Sequence, residues 1–358
     1  MSAAFHSLRI ADVRREIDDA ISIGFELPET LRDTFLFSAG QHLTLRTEID
    51  GEDVRRNYSL CVAPHERELR VAIKQIAGGA FSTWANRELT PGAMLDVMPP
   101  HGSFTWSFEP ARAASYVGFA GGSGITPVLS LLKTALEQEP MSRFTLLYGN
   151  RFSGSIMFLE ELAALKNRFM SRLQIYHFLE EEEEEVELFN GRLDNAKIAE
   201  VLEILVDPET IDAAFICGPG PMMDAVEAGL AAAGVAPSKI LIERFTVGAM
   251  SAEQIAASRL LEQKAAGRKV QLTLEGRRRT VAFDPDKGSI LENARAAGLP
   301  APFACKAGVC ATCRARLISG EVAMKANYGL SDEEVAQGYV LTCQAVPLTD
   351  DVALDYDA

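Results

Sequence analysis

The sequence predicts a multidomain chain: an all-β antiparallel segment, a parallel-sheet α/β segment and a small mixed α/β segment. Three observations carry this. Before residue 110, short strand-like runs are separated by polar, Gly or Pro turns. From Ala114 to Phe245, apolar runs alternate with amphipathic stretches of helical period. Beyond about Arg268, two short strand patterns and a helix precede a late cluster of cysteines. A chain of 358 residues has room for two or three domains.

Composition narrows the possible roles. Hydrophobic residues make up 47%, enough for real cores, and charged residues 24%, as in soluble globular domains. A net charge of −15 repels phosphate backbones and argues against nucleic acid as a partner. It is compatible with docking onto a basic patch of another protein. No run approaches the ~20 apolar residues of a membrane helix. The N-terminal text MSAAFHSLRIADVRREIDDA has no apolar signal core. The expectation is a cytoplasmic protein with reduced thiols and no membrane partner.

In the first segment the strand candidates are QHLTLRTEI, YSLCVA, LRVAIKQI and MLDVMPP. Between them, Arg56-Asn57-Tyr58-Ser59 offers a cation, an aromatic face and a hydroxyl, with Arg56 and Tyr58 on one face of an extended strand. The stretch from Gly78 to Trp84 leads glycines and hydroxyls into a short helix, where an anion could sit. The plainer readings are a strand edge and an ordinary turn.

The middle segment carries the strands SYVGFA, FTLLYG, LQIYHFL, AAFICG and KILIERF. The helices between them are PVLSLLKTALEQ, IMFLEELAALKNRF, NAKIAEVLEIL and PMMDAVEAGLAAAG. Parallel sheets of this kind bind ligands at the carboxyl ends of their strands. Two loops fall there. Gly121-Gly122-Ser123-Gly124-Ile125-Thr126-Pro127 has glycines that let backbone approach a diphosphate; Thr126 is expected to cap the next helix and Pro127 to open it. It is not a GxGxxG fingerprint, and a glycine turn can be purely structural. Cys217-Gly218-Pro219-Gly220-Pro221-Met222 places a cysteine at a strand end, although most free cysteines simply pack. Glu180 to Glu185, six glutamates in a row, read as a solvated loop. Residues 247–267, VGAMSAEQIAASRLLEQKAAG, read as a partly helical tether.

In the last segment VQLTLEG and RTVAFD read as strands, and SILENARAA as a helix closed by Gly298. Cys305, Cys310, Cys313 and Cys343 follow as C-x4-C-x2-C-x29-C, the plant-type [2Fe–2S] spacing. Four thiolates must converge on two irons, and Ala304, Ala307, Gly308, Ala311 and Thr312 are small enough to let backbone N–H groups reach the sulfurs. Two other readings compete. A thioredoxin-like Cys310–Cys313 pair would need a strand–helix context without further cysteines, and zinc ribbons show two close pairs.

Taken in order, RNYS, GGAFS, GGSGITP, CGPGPMM, ERF and the cysteine pattern resemble the ferredoxin–NADP⁺ reductase superfamily with a fused C-terminal plant-type ferredoxin, over nearly the whole chain. FHSLRI, YGNR, IERF, CKAGVCATCRARLISGEV and ANYGLSDEEVAQGYVLTCQ narrow the likeness to reductases feeding a di-iron oxygenase that acts on an aryl-CoA ring. The resemblance implies an antiparallel β-barrel FAD domain over 1–110, an α/β parallel-sheet NAD(P) domain over 111–246, a linker over 247–267, and a β-grasp-like α+β ferredoxin domain over 268–358. Arg56 would pair with the FAD diphosphate, Tyr58 pack on the flavin and Ser59 bond near its reactive nitrogen, with Lys74, Gly79 and Ser82 lining the remainder. Gly122, Gly124 and Thr126 would hold the nucleotide diphosphate. Cys217 would lie beside the reacting nicotinamide carbon, and Phe245 would cover the flavin. Arg151 stands where a 2′-phosphate would lie, which favours NADPH over NADH. The implied activity is transfer of electrons from NADPH through FAD to a [2Fe–2S] cluster and on to di-iron oxygenase subunits. The remaining alternatives are a reductase of the same build serving a steroid or aromatic-ring hydroxylase, and a non-enzymatic sensor or carrier that needs only the cluster.

Overall fold

A computed structural model describes residues 5–245 and 252–358. The chain divides into two compact units: residues 6–54 with 58–245, and the C-terminal residues together with Arg55–Asn57.

The first unit opens with six antiparallel strands: β1 (His6–Ile17), β2 (Ala20–Glu26), β3 (His42–Ile49), β4 (Glu52–Ser59), β5 (Leu69–Lys74) and β6 (Met94–Val97). Their order is β4-β3-β6-β1-β2-β5. A bridge between Leu60 and Val71 joins the chain just past β4 to β5, so the sheet closes into a barrel without open edges. Alternation fills the interior with Leu8, Ile10, Ile21, Ile23, Leu43 and Leu45, all at most 2% exposed. Helix α1 (Ala80–Glu88) buries Phe81 and Ala85 in the same core.

A five-stranded parallel sheet follows: β7 (Ser115–Gly121), β8 (Arg143–Asn150), β9 (Leu173–Leu179), β10 (Ala213–Cys217) and β11 (Ile240–Glu243). The order is β11-β10-β7-β8-β9. The crossover helices are α2 (Ile125–Gln138), α3 (Leu159–Phe169), α4 (Asn195–Ile204) and α5 (Gly220–Ala232). The winding reverses between β7 and β10, which opens a crevice at their carboxyl ends. Barrel and sheet are pinned together by α2. Ser130 Oγ donates to Val62 O at 2.6 Å, and Lys133 Nζ to Cys61 O at 3.3 Å. Lys133 is 5% exposed. Burial disfavours its charge, but Glu161 and Glu66 outweigh that and hold its pKa above the ordinary value.

Two sequence expectations change at the start of α2. Gly124, not Thr126, is its N-cap, and Pro127 is its third residue. Thr126 lies inside the first turn, where its hydroxyl donates to Ser123 O at 3.1 Å. Pro127 is tolerated there because first-turn N–H groups have no intrahelical acceptor.

The second unit holds α6 (Ala252–Lys264), β12 (Lys269–Leu274), β13 (Arg277–Ala282), α7 (Ile290–Ala296), β14 (Arg314–Ser319), β15 (Val322–Met324), α8 (Asp332–Ala336), β16 (Tyr339–Leu341), β17 (Ala345–Pro347) and β18 (Val352–Asp355). The main sheet runs β13-β12-β18-β14-β16, with β12 and β18 parallel. Helix α7 buries Ile290, Leu291 and Ala294 in a core with Val270, Leu272, Phe283 and Leu354. Gly298 takes φ +77° just past its end, as a helix stop requires. The tether expected over 247–267 lies partly outside the described residues; α6 occupies much of the rest, and Lys325 Nζ reaches Glu262 Oε1 at 2.7 Å.

Candidate functional site

The cysteine cluster is built on the loop before β14 and on the turn after β16. Cys310, Cys313 and Cys343 are at most 6% exposed. They do not form one compact tetrad: among the described residues no three His, Cys, Asp or Glu side chains converge as on a single ion. They form two pairs. The backbone N–H of Cys310 donates to Cys305 Sγ at 3.4 Å and that of Cys305 to Cys310 Sγ at 3.5 Å. Cys343 is brought beside Cys313 by its neighbour Thr342, whose N–H and hydroxyl donate to Cys313 O at 3.2 and 2.9 Å. A two-iron cluster asks for this, two thiolates for each iron. Ala307 N also donates to Cys305 Sγ, at 3.3 Å, and such N–H groups stabilise thiolate charge. The loop is tightly wound: Lys306 and Ala311 adopt φ +55° and +51°, left-handed values that are uncommon without glycine. A Cβ on Gly308, at φ +78°, would meet Ala326 O at 3.1 Å.

In the barrel, β4 carries Arg56, Tyr58 and Ser59 in succession. Arg56 is exposed and donates to Arg55 O at 2.7 Å. The Tyr58 ring tilts against Phe81 with centroids 5.6 Å apart. Ser59 is 2% exposed, and its hydroxyl has no partner among the described residues. An orphaned buried hydroxyl costs about 1–3 kcal/mol, which a bound ligand would recover. Ser82 differs. Its Oγ accepts from Ile76 N at 3.1 Å and donates to Gly79 O at 3.3 Å, so it braces the loop before α1. A Cβ on Gly79 would strike that oxygen at 2.6 Å.

The crevice of the parallel sheet is made by two touching loops. Cys217 ends β10, level with Ala120 of β7 and Glu243 of β11. It is fully buried; burial first, then the Glu243 carboxylate, push its thiol well above the ordinary value. It is therefore a neutral thiol at pH 7, suited to packing against a ligand and unsuited to nucleophilic attack. Gly122 has φ +50°, and its carbonyl accepts from Tyr148 at 2.9 Å. Thr126 is buried under this loop. Phe245 is 38% exposed beyond β11.

Lys74 ends β5, and Arg151 follows β8. The Lys74 pKa is lowered, first by burial and further by Arg151, although Asp19 opposes at 3.8 Å. Arg151 also acts on Glu180, whose carboxylate is held below the ordinary range chiefly by Arg192. An acidic side chain thus stands near Arg151 although the sequence has none beside it. The glutamate run is anchored in part: Glu184 N donates to Asn190 at 2.7 Å and Ser153 Oγ to Glu182 at 3.0 Å.

Sequence reasoning missed several polar residues here. Asn150, the last residue of β8, has both amide atoms buried without partners among the described residues, as has His177 Nδ1 on β9. The YGNR text held Asn150, but only the strand end reveals its burial. His42 carries no local motif and meets Glu243, of the ERF text, only through the fold.

Three family models match the chain in order. Residues 7–106 match the oxidoreductase FAD-binding domain, 119–228 the oxidoreductase NAD-binding domain and 272–348 the 2Fe-2S iron-sulfur cluster binding domain. Fold and sites together define an NAD(P)H-dependent flavin and iron–sulfur oxidoreductase. The chain is 42% identical to a subunit of the 1,2-phenylacetyl-CoA epoxidase of Escherichia coli K12, over 99% of this chain and 98% of that one. It is 33% identical to the ferredoxin reductase component of 3-ketosteroid-9-alpha-monooxygenase from Rhodococcus rhodochrous, over 98% and 96%. It therefore belongs to the family of reductase components of oxygenase systems. Its fold is that of phthalate dioxygenase reductase, described as a modular structure for electron transfer from pyridine nucleotides to [2Fe-2S] (TM-score 0.61, 24% identity, 98% of each chain). No described helix is long and apolar enough to cross a membrane.

Proposed function

We propose that this reductase takes electrons from NADPH and delivers them to a di-iron oxygenase that epoxidises the ring of phenylacetyl-CoA. The supporting observation is the 42% identity with a phenylacetyl-CoA epoxidase component along the whole chain, ferredoxin segment included. The protein would work in the cytoplasm. Its FAD, when bound, accepts a two-electron hydride and releases single electrons, which the cluster requires.

The residues divide the work. Arg56 balances the FAD diphosphate, Tyr58 and Phe245 pack on the flavin, and Ser59 offers its hydroxyl to the ring. Lys74 and Gly79 line the same site, and Ser82 fixes its loop. Gly122 and Gly124 admit the nucleotide diphosphate to the backbone, and Thr126 holds the turn beneath it. Cys217 gives the nicotinamide a neutral, dry wall, where reacting atoms must close to ~3–3.5 Å. Arg151 pairs with the 2′-phosphate. Cys305 with Cys310, and Cys313 with Cys343, hold one iron each.

Reconstitution tests the assignment: this protein, NADPH, oxygen, phenylacetyl-CoA and the candidate oxygenase, with product followed by mass spectrometry. Epoxide is expected. None above a control lacking this chain, with both redox groups intact, would leave the second reading, which the 33% identity to a ketosteroid monooxygenase reductase favours.

A further inference from the structure

In the C-terminal unit, Gln344 spans both arms of the cysteine set. It follows Cys343 and immediately precedes β17, which begins at Ala345. Its main chain is fixed from two sides: Gln344 N donates to Leu341 O at 2.9 Å, and Lys325 N donates to Gln344 O at 3.0 Å. The side chain turns back over the cysteine loop. Its Nε2 donates to Lys306 O at 2.9 Å and to Cys343 Sγ at 3.7 Å. Its stem packs on the same loop, because a Cβ on Gly308 would meet Gln344 Cγ at 3.0 Å.

The amide orientation follows from chemistry. A carbonyl only accepts, so the atom that meets Lys306 O is the nitrogen. That nitrogen carries two hydrogens: one serves Lys306 O and the other Cys343 Sγ. Lys306 is a residue that needs holding. One step after Cys305 it adopts φ +55°, a left-handed conformation that is uncommon without glycine. Its ammonium group is anchored separately, on Glu292 of α7 at 2.9 Å. Gln344 thus joins the loop that carries Cys305 to the turn that carries Cys343.

We infer that Gln344 is a positioning residue of the iron–sulfur site, clipping the Cys305 loop in place with one amide hydrogen and raising the reduction potential through Cys343 with the other. The potential of such a cluster depends on hydrogen bonds to its sulfurs. A donor beside a ligating sulfur offsets negative charge, and the reduced cluster carries one electron more than the oxidised one. The amide therefore favours the reduced form. This makes the cluster a readier acceptor from the flavin and a milder donor to the oxygenase. The clip acts on a different quantity, since partners that orient metal ligands strengthen retention of the metal. The inference rests on the reading that Cys305, Cys310, Cys313 and Cys343 hold the cluster.

The test uses the full chain, purified anaerobically, with FAD, iron and sulfide counted and the cluster titrated by spectroelectrochemistry. Gln344→Leu removes both donors, and Gln344→Glu also puts a negative charge in their place. At a fixed potential the ratio of reduced to oxidised cluster should fall about threefold in Gln344→Leu and about tenfold in Gln344→Glu, the latter about 59 mV for one electron. Iron release to a chelator should be about tenfold faster in both, with FAD content unchanged. Unmoved potentials or unchanged release rates in variants that assemble a cluster would overturn the inference; a merely structural role would move the release rate alone. If neither variant assembles one, the unmutated protein decides. With ¹⁵N in the side-chain amide of glutamine, pulsed EPR of the reduced cluster should show a ¹⁵N coupling, and its absence would overturn the inference. Iron and sulfide at background in the unmutated protein would instead overturn the cysteine assignment.

Discussion

A Cβ on Gly124 would stand 2.1 Å from the carbonyl oxygen of Cys217. The two loops at the head of the crevice therefore touch backbone to backbone. Gly121 repeats the contact against Pro219 at 2.5 Å. Gly124→Ala must force them apart, at about 1–3 kcal/mol for an overpacked site. Gly122→Ala meets nothing within 4 Å and should lose only the backbone preference at φ +50°, about 1 kcal/mol. Thermal melts and NADP⁺ titrations of the two variants should rank Gly124→Ala as the weaker binder and the less stable. Equal behaviour would show that the loops part freely.

Cys310→Ser should abolish the cluster and spare the flavin. The four cysteines all lie in the C-terminal unit, and the flavin and nucleotide loops lie at earlier positions. Iron and sulfide should fall to background while FAD stays stoichiometric. NADPH should still bleach the flavin, and ferricyanide should still be reduced. Zinc instead of iron in the unmutated protein, purified anaerobically, would reject the cluster assignment.

Much of this architecture was legible because its elements announce themselves locally. The apolar runs ending at Gly121, Asn150, Leu179 and Cys217 alternate with helices, and that alternation dictates a parallel sheet. The cysteine spacing was legible because cluster geometry constrains it. The cap of α2 was not: Thr126-Pro127 resembles a cap and first residue, yet the close approach of Gly124 to Cys217 starts the helix earlier. The approach of His42 to Glu243 of the ERF text was invisible because 201 positions separate them, and no local pattern records a contact that the fold alone makes.

Arg151 gives the third prediction. A charge-assisted bond to a 2′-phosphate is typically worth ~1.5–3 kcal/mol, a tenfold or greater preference for NADPH. Arg151→Ala should erase most of it and leave NADH turnover nearly unchanged. Glu180 tempers the expectation, since its carboxylate also acts on Arg151. Glu180→Gln should therefore sharpen the choice of NADPH. Equal kcat/KM for the two nucleotides in the unmutated protein would refute the role of Arg151.

The last prediction concerns acid stability. His42 and His177 both have pKa values below the ordinary ~6.5, His42 through burial and then His101, and His177 through burial. In the unfolded chain both imidazoles take up protons below that value, while the folded protein resists. Their contribution is thus complete above pH ~6.5 and is lost as pH falls below it toward the folded pKa. Glu16 works in the opposite direction. Burial, partly offset by its bond from Ser22, raises its pKa, so the folded state binds the extra proton and gains stability as pH falls through that range. The histidines should prevail between pH ~6.5 and the ordinary glutamate range, where unfolded glutamates are still ionised. Tm should fall as the medium is acidified from pH ~7 to ~5, and less steeply in His177→Gln than in the unmutated protein. Parallel curves for the two, measured at constant ionic strength, would mean that His177 is protonated to the same extent in both states.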